Sequence, residues 1–305
     1  GGCDYATNFP GFYSHVIFNR LGYNDFSLNE KIAFQKTFGG SLAGKRSVVL
    51  FKGTGLNVAL DEYLHSVLNG VNAGLVVILT DDLEGESSPE IQDSRPIIDM
   101  YGGLWFEPYS NQNGYDISKI AFEVSEKLDI PVVIRLTNNY FRNNDSYKRT
   151  NMVGRSEELK IDRRNTKYIS HWKPRYTNLQ KKKENIQLFV ESLYKCADKF
   201  ESIIVGSTNR PDSQTKNSLR LYTYPLPHKI FADNNTKKSI KVYENGESYV
   251  FSKLLTIANN SKSIVRVKDK FKDDGTKWEK WDGDVKLFKA LQKIDPSYVV
   301  ADEGT

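Results

Sequence analysis

Short apolar runs bounded by turn-forming residues recur along the chain and predict β-strands. Stretches with helical spacing separate several of them, and the apolar positions of Asn57–Leu68 and Ile117–Leu128 return every three or four residues. Short buried runs that alternate with helices are typical of βαβ units and parallel sheets. The pattern predicts an α/β fold with strands at Val48–Phe51, Leu75–Leu79, Val132–Leu136, Ser202–Val205, Ile240–Tyr243, Ile264–Val267 and Tyr298–Ala301.

The spacing of these elements also predicts how the chain is divided. A first domain occupies residues 1–137, and the polar, aperiodic residues 138–185 that follow indicate a basic linker or an extended arm. A second domain occupies residues 186–270. Residues 281–305 contain one further helix pattern and one strand. Because one helix and one strand cannot bury a core, we expect this segment to be the start of a domain whose remainder lies elsewhere.

Charge is distributed unevenly along the 305 residues, whose formal net charge is +5. Residues 142–183 contain thirteen Lys or Arg against four Asp or Glu. Such a basic stretch could bind nucleic acid, but it lacks a recognised binding motif. A solvated linker, or a surface that faces an acidic partner, explains the stretch better. We therefore expect no nucleic-acid partner.

Cysteine usage and hydropathy indicate the compartment. Cys3 and Cys196 form no C-x-x-C pair and no disulfide framework, which favours a reducing environment. An iron–sulfur cluster is held by about four thiolates, so we expect this chain to carry none. No apolar run reaches the roughly 18 residues that span a bilayer. No signal segment opens the chain either, so we expect a cytoplasmic protein without a membrane partner.

Three segments contain residues that could carry chemistry. Ser27–Glu30 precedes a helix pattern and is either a capping box or a means of placing Glu30 against a ring nitrogen of a cofactor. The turn Gly53–Asn57 is either an ordinary strand-to-helix turn or one whose backbone N–H groups approach a ligand. The acidic segment Asp81–Asp93 follows another strand and is either a solvated loop or a Mg²⁺ site.

Six motifs occur in a characteristic order: Asn29–Lys31, Gly40–Gly44, Lys52–Ala59, Gly70–Val76, Asp81–Asp82 and Gln92–Arg95. Together they resemble the pyrimidine-binding domain of the indolepyruvate ferredoxin oxidoreductase large subunit. Two later motifs, Thr223–Pro227 and Glu244–Val250, are similar to that subunit's next domain, which is of the transketolase C-terminal type. The resemblance covers most of residues 4–256. It implies two successive parallel-sheet α/β domains with the start of a third.

The resemblance also implies a thiamine-diphosphate-dependent enzyme that acts on a small 2-oxo acid. Glu30 matches the family's catalytic glutamate, which hydrogen-bonds N1′ of the aminopyrimidine and so prepares the cofactor to attack the substrate carbonyl. The family's cofactor-binding turn corresponds to Gly53, Thr54, Gly55 and Asn57. Decarboxylation of the 2-oxo acid follows the attack.

The final residues are similar to the opening of the family's diphosphate-binding domain, and Asp302 matches its first Mg²⁺ ligand. The resemblance therefore implies that most of the Mg²⁺ site belongs to a diphosphate-binding domain or subunit. We expect such a partner in a homo- or hetero-oligomer, and we expect this chain to be inactive without it.

Departures from the family concern the substrate. The family's Pro-Gly-Thr-Pro, whose Thr meets the substrate carboxylate, is replaced by Pro10–Tyr13, and a family His is replaced by Gly53. The substrate-binding candidates are thus Phe12, Tyr13 and the nearby His15. Three alternatives stay open: a 2-oxo acid oxidoreductase, a non-oxidative decarboxylase or carboligase, and a non-catalytic scaffold.

Overall fold

The computed structural model describes residues 2–86, 90–150, 172–194, 200–208, 217–233, 239–257 and 264–267. Residues 1–269 form one compact unit. The predicted strand Tyr298–Ala301 and the predicted metal ligand Asp302 lie outside the described residues. Within the described ranges, no helix has the length and hydrophobicity needed to cross a bilayer.

The first sheet contains six strands: β1 (Tyr5–Asn8), β2 (Ser47–Lys52), β3 (Leu75–Asp81), β4 (Leu104–Phe106), β5 (Val132–Thr137) and β8 (Thr223–Tyr224). Their order is β1-β2-β3-β5-β4-β8. The first five strands in this order are parallel, and β8 is antiparallel to β4. Residues of β2, β3 and β5 are buried on both faces, which explains why these strands are continuous apolar runs in the sequence.

The second sheet contains four parallel strands: β6 (Ser202–Val205), β7 (Ser218–Leu221), β9 (Ile240–Tyr243) and β10 (Ile264–Val267). Their order is β10-β9-β6-β7. The helices are α1 (Ser14–Leu21), α2 (Glu30–Leu42), α3 (Gly55–Val58), α4 (Leu60–Asn69), α5 (Arg95–Asp99), α6 (Asn111–Leu128), α7 (Asn138–Phe141), α8 (Trp172–Leu193), α9 (Lys229–Asp233) and α10 (Tyr249–Ile257).

The predicted α/β fold with parallel sheets is confirmed, and every strand predicted within the described residues is present. The helix predicted at Asn57–Leu68 is two helices, α3 and α4, which meet at Ala59. Strands β1, β4, β7 and β8 were not predicted. Polar residues interrupt β1 (YATN) and β7 (SLRL), and β4 and β8 have only three and two residues, so no apolar run of strand length marks any of them.

The predicted linker or arm at residues 138–185 contains helix α7 and the first part of helix α8, and its assignment as a linker or arm stays a prediction. Helix α8 continues past residue 185 because Leu179, Ile186 and Val190 form a buried stripe at helical spacing. This stripe packs towards α4 and α6. The predicted domain limits stay a prediction, although β8 joins a strand of the second segment to the first sheet.

The parallel strands of the first sheet all end at the same edge, here called the carboxyl edge. The loops that follow β1, β2, β3, β4 and β5 therefore lie together there. In open α/β sheets, ligands bind beyond the carboxyl ends of the strands. The described residues of this edge are consequently where a functional site is expected.

Candidate functional site

Glu30 is the first residue of α2, and Asn29 sets its position. The Asn29 backbone is extended, and its Oδ1 accepts a hydrogen bond from the Ile32 N–H at 2.9 Å. Ser27 does not cap the helix, because its hydroxyl pairs with that of Thr7 at 2.8 Å. The predicted capping box is therefore wrong. Asn29 satisfies the helix terminus, and the Glu30 carboxylate is left for another role.

The Glu30 side chain is half-buried beside the turn that follows β2. Within the described part of the chain, no other side chain hydrogen-bonds its carboxylate. Burial raises the pKa of Glu30, and its own backbone N–H and the Lys52 charge offset this effect only in part. A carboxyl group with a raised pKa and no fixed partner is suited to exchanging a proton with a ligand.

Gly55 lies directly against Glu30. A Cβ at Gly55 would be 2.5 Å from both Cγ and Oε1 of Glu30, which is far inside van der Waals contact. Glycine at this position thus lets the carboxylate rest on bare backbone at the start of α3. The half-buried Thr54 precedes it, and the exposed Asn57 exchanges hydrogen bonds of 2.7 and 3.2 Å with Gln92. The structure brings these residues of the predicted turn together with Glu30.

Gly53 forms the other side of the same turn. A Cβ there would overlap Oδ1 of Asp81 and would be 2.9 Å from the Ser94 hydroxyl oxygen. The Gly53 N–H donates to the Thr80 carbonyl at 2.8 Å, and its carbonyl accepts from the Gln92 amide at 2.9 Å. Hydrogen bonds to strand β3 and to the loop before α5 therefore hold this turn in place.

The acidic segment Asp81–Asp93 has two kinds of carboxylate: Asp81 and Asp82 at its start are buried, whereas Glu84 and Glu86 are exposed. Asp81 is fully buried and accepts from Nε of Arg135 at 2.6 Å. Burial raises the pKa of Asp81, against the lowering effect of the Arg135 charge. Glu84 and Glu86 both pair with Arg142. Among the described residues, no three His, Cys, Asp or Glu side chains are arranged to hold a metal ion.

Arg135 is the residue that the sequence analysis missed. It interrupts the apolar strand β5, and a buried guanidinium requires buried counter-charges. That interruption was the available signal. It should have indicated that some of the neighbouring carboxylates are ion-pair partners, which removes them from the set of metal-ligand candidates.

Aromatic side chains cover one side of the carboxyl edge. Tyr13 has a left-handed backbone (φ 55°), and its ring stacks on Phe141 at a centroid distance of 4.3 Å. Phe12 packs edge-on against both rings at 5.0 and 5.7 Å. Phe12 is buried and Tyr13 is partly exposed, whereas His15 is exposed on the first turn of α1. Phe12, Tyr13 and Phe141 thus form an aromatic wall at this edge.

We compared the chain with protein-family models, with curated proteins and with solved structures. No family model matches the chain. It is 41% identical over 123 residues to indolepyruvate oxidoreductase subunit IorA of Pyrococcus abyssi, which is 40% of this chain and 19% of that protein. It is 35% identical over 144 residues to the subunit of the same name from Methanothermobacter marburgensis, which is 45% of this chain and 23% of that protein. The chain thus spans about a fifth of the length of the curated relatives it matches.

Among solved structures, the chain is similar to the 2-oxoglutarate:ferredoxin oxidoreductase from Magnetococcus marinus with 2-oxoglutarate, coenzyme A and succinyl-CoA bound. The TM-score is 0.60 at 13% identity, over 96% of this chain and 62% of that chain. At such low identity the likeness shows the fold alone. The family resemblance stated from the sequence motifs is confirmed by the similarity to the IorA subunits.

Proposed function

We propose that this chain is the aminopyrimidine-binding part of a thiamine-diphosphate-dependent 2-oxo acid oxidoreductase. The observation that carries the proposal is the half-buried Glu30 carboxyl group, which has a raised pKa and lies against the bare backbone of Gly55. The similarity to subunits named indolepyruvate oxidoreductase supports the class of reaction.

The residues of the turn fit an aminopyrimidine. The missing Cβ at Gly55 lets the Glu30 carboxyl group lie directly against the turn, whereas at Gly53 the Asp81 carboxylate fills the corresponding space and supports the turn. Thr54 and Asn57 border the same surface with polar side chains. These features support a ring held by one carboxyl group and by the backbone of the turn.

When bound, thiamine diphosphate supplies the carbon nucleophile and the electron sink needed to cleave a 2-oxo acid. Glu30 would hold or release a proton at the N1′ atom of the aminopyrimidine, which its raised pKa favours. Gly55 would keep this carboxyl group in place. The aromatic wall of Phe12, Tyr13 and Phe141 would exclude water from the substrate side.

A complementary diphosphate-binding domain or subunit is part of the proposal, and Mg²⁺ would be held mostly by that partner. Exposed apolar side chains on segments next to the turn support a docking surface. Phe26 and Leu28 lie just before α2 and are 46% and 86% exposed, Val58 on α3 is 50% exposed, and Ile91 is 61% exposed. We propose that the partner covers them. The proposed assembly is an oligomer in which two modules enclose the cofactor.

Thermal unfolding tests the proposed cofactor. The chain is mixed with its diphosphate-binding partner and titrated with thiamine diphosphate plus Mg²⁺. At 100 times the Kd, a ligand that binds only the folded state stabilises by about 2.7 kcal/mol. We expect stabilisation of this size for the wild type and a smaller effect for Glu30→Ala. Absence of stabilisation in the wild-type assembly would contradict the proposal and favour a scaffold without cofactor.

A second assay separates the possible outcomes of the reaction. Oxidation of a 2-oxo acid transfers electrons to an added redox dye, whereas non-oxidative decarboxylation or carboligation releases CO₂ without reducing the dye. We propose oxidation, because the relatives are named oxidoreductases. Release of CO₂ from the assembly without dye reduction would replace oxidation with the non-oxidative alternative.

A further inference from the structure

We infer that Arg95 and Glu244 are positioning residues for the turn Gly53–Gly55, to which a continuous buried ion-pair network connects them. Arg95 begins α5, whereas Glu244 follows β9 in the second sheet. What the turn binds rests on the proposed function. The connection itself rests only on geometry, and it gives the second sheet a direct role in shaping the site.

The near end of the network is Asp81, whose Oδ1 fills the space where Gly53 has no Cβ. Three hydrogen bonds hold this carboxylate: from the Ser94 hydroxyl at 2.7 Å, from the Ser94 N–H at 2.9 Å and from Arg135 Nε at 2.6 Å. Asp81, Ser94 and Arg135 are each at most 1% exposed. The turn therefore rests on a carboxylate that cannot move unless Arg135 moves.

The middle of the network is shared between the two arginines. Arg135 also donates to Glu107 at 2.6 Å, and its Nη2 is 3.3 Å from Asp93. Asp93 in turn accepts from Nε of Arg95 at 2.8 and 3.1 Å. Burial raises the pKa of Asp93, but the charges and hydrogen bonds of Arg135 and Arg95 outweigh it and lower the pKa to about 2. Asp93 is thus a fixed anion between two guanidinium groups.

The far end of the network belongs to the second sheet. Arg95 donates to Glu244 at 2.7 Å and to the carbonyls of Asn245 and Glu247 at 3.0 and 3.1 Å. Glu244 also accepts from the Val250 N–H at 2.6 Å, and from that of the next residue, at the start of α10. The loop 244–247 thus binds the Arg95 guanidinium directly, and the first turn of α10 holds Glu244 in position to do so.

Four carboxylates and two guanidinium groups make up this network, so each arginine must serve several anions. Loss of the Glu244 charge leaves Arg95 with Asp93 alone as its anionic partner. Arg95 is then expected to draw Asp93 away from Arg135. Arg135 then shifts towards its two remaining carboxylates, Asp81 and Glu107, so that Asp81 no longer lies where it supports Gly53. Water cannot compensate at side chains this deeply buried. The expected result is a looser turn at Gly53.

Hydrogen–deuterium exchange of the full chain tests this inference without any cofactor. Glu244→Gln keeps the size and most of the acceptor capacity of the side chain but removes its charge. We expect the backbone N–H groups of residues 53–59 to exchange roughly 5- to 10-fold faster in this variant. Glu244→Asp is the milder second variant, to be used if Glu244→Gln does not fold, and it should give an intermediate rate.

The matched control is Glu126→Gln. Glu126 also pairs with one arginine, Arg46, by hydrogen bonds of 2.8 and 2.7 Å, and also accepts from a backbone N–H, that of Gly74, at 3.0 Å. This pair lies at the opposite edge of the first sheet, where β2 and β3 begin. A merely structural role predicts that both variants accelerate exchange throughout the chain in proportion to their loss of stability. Our inference predicts faster exchange at residues 53–59 in the Glu244 variants only.

The two possible failures are distinguishable. Unchanged exchange at residues 53–59 in Glu244→Gln and Glu244→Asp, or an equal change in Glu126→Gln, overturns the positioning role. In the assembly with the diphosphate-binding partner, we expect Glu244→Gln to weaken thiamine diphosphate binding roughly 10-fold with Glu126→Gln unaffected. If the Glu244 variants exchange selectively faster at the turn but the wild-type assembly binds no thiamine diphosphate, the proposed function is refuted and the positioning role is supported.

Discussion

Two carboxyl groups lie on opposite sides of one glycine turn and have opposite environments. Glu30 contacts the turn at Gly55, is half-buried and has no side-chain partner among the described residues. Asp81 contacts it at Gly53, is fully buried and is held by Ser94 and Arg135. The first carboxyl group is free to take a new hydrogen-bond partner, whereas the second is held in place by partners it already has.

The comparison teaches which part of the edge is structure and which part is available for chemistry. A fully buried carboxylate that is already held by a guanidinium and two further hydrogen bonds is out of reach of a ligand. A half-buried carboxyl group that no described side chain hydrogen-bonds can still bind one. The sequence alone does not separate structural carboxylates from those available to a ligand. By number of carboxylates, the acidic segment after β3 is a stronger candidate than Glu30.

Removal of the Glu30 carboxyl group should give the largest effect on activity. We expect Glu30→Ala to lower turnover by the assembled enzyme about 10²–10⁴-fold, the usual contribution of a positioned proton-transfer group. Steady-state kinetics at saturating cofactor measures the loss. Glu62→Gln is the matched control, since the Glu62 carboxylate is held by Gln35 at 2.8 Å and by Lys31 at 3.3 Å, whereas no described side chain hydrogen-bonds Glu30. Wild-type turnover in Glu30→Ala would refute the proposed role.

The opposite change, at Asp81, should act on stability. Asp81→Asn leaves the Arg135 guanidinium without one of its buried counter-charges, and we expect a loss of about 3–5 kcal/mol in the free energy of unfolding. Urea denaturation measures this loss. Glu30→Ala should change the same quantity by less than about 1 kcal/mol. If both variants were equally destabilised, the contrast between the two carboxyl groups would not hold.

The two glycines offer a sharper form of the comparison. Gly55→Ala drives a methyl group into a side chain that can rotate away, so we expect turnover to fall roughly 10²-fold with little loss of stability. Gly53→Ala drives one into a carboxylate that cannot move, so we expect about 1–3 kcal/mol of destabilisation. Turnover and urea denaturation of both variants separate the two effects. A reversed pattern would mean that Gly53 supports the chemistry and Gly55 the fold.

The smallest expected effect is the pH dependence of stability. Because burial raises the pKa of Glu30, the folded chain binds this proton more tightly than the unfolded chain, and the charged form costs stability above the ordinary value of 4.5. Glu30→Gln should therefore raise the Tm by roughly 1–3 °C at neutral pH and by less as the pH falls to about 4.

Asp25→Asn is the control of opposite sign for this pH dependence. Burial raises the pKa of Asp25, but hydrogen bonds from Lys36 and Tyr5 outweigh this effect and lower the pKa overall. The charged form of Asp25 thus stabilises the fold, and its loss should lower the Tm at neutral pH. The same sign of Tm change for the two variants would contradict the environment described for Glu30.

The sequence was sufficient for the α/β class and for the long strands, because buried parallel strands are apolar throughout. It was not sufficient for the cap of α2. Ser27 and Asn29 are both good capping residues, and only the tertiary contact of Ser27 with Thr7 decides between them. The pair Arg95–Glu244 joins residues 149 positions apart, so no local spacing could have indicated it.

The central claim is that Glu30 hydrogen-bonds one particular ring nitrogen, and an analogue of thiamine diphosphate with carbon in place of N1′ tests it most directly. Calorimetry of the wild-type assembly should show weaker binding of the analogue by about 1.5–3 kcal/mol, the contribution of a hydrogen bond to a charged group. The Glu30→Ala assembly should bind both compounds equally. An equal loss of affinity for the analogue in the two proteins would show that Glu30 does not contact N1′ and would contradict the proposed function.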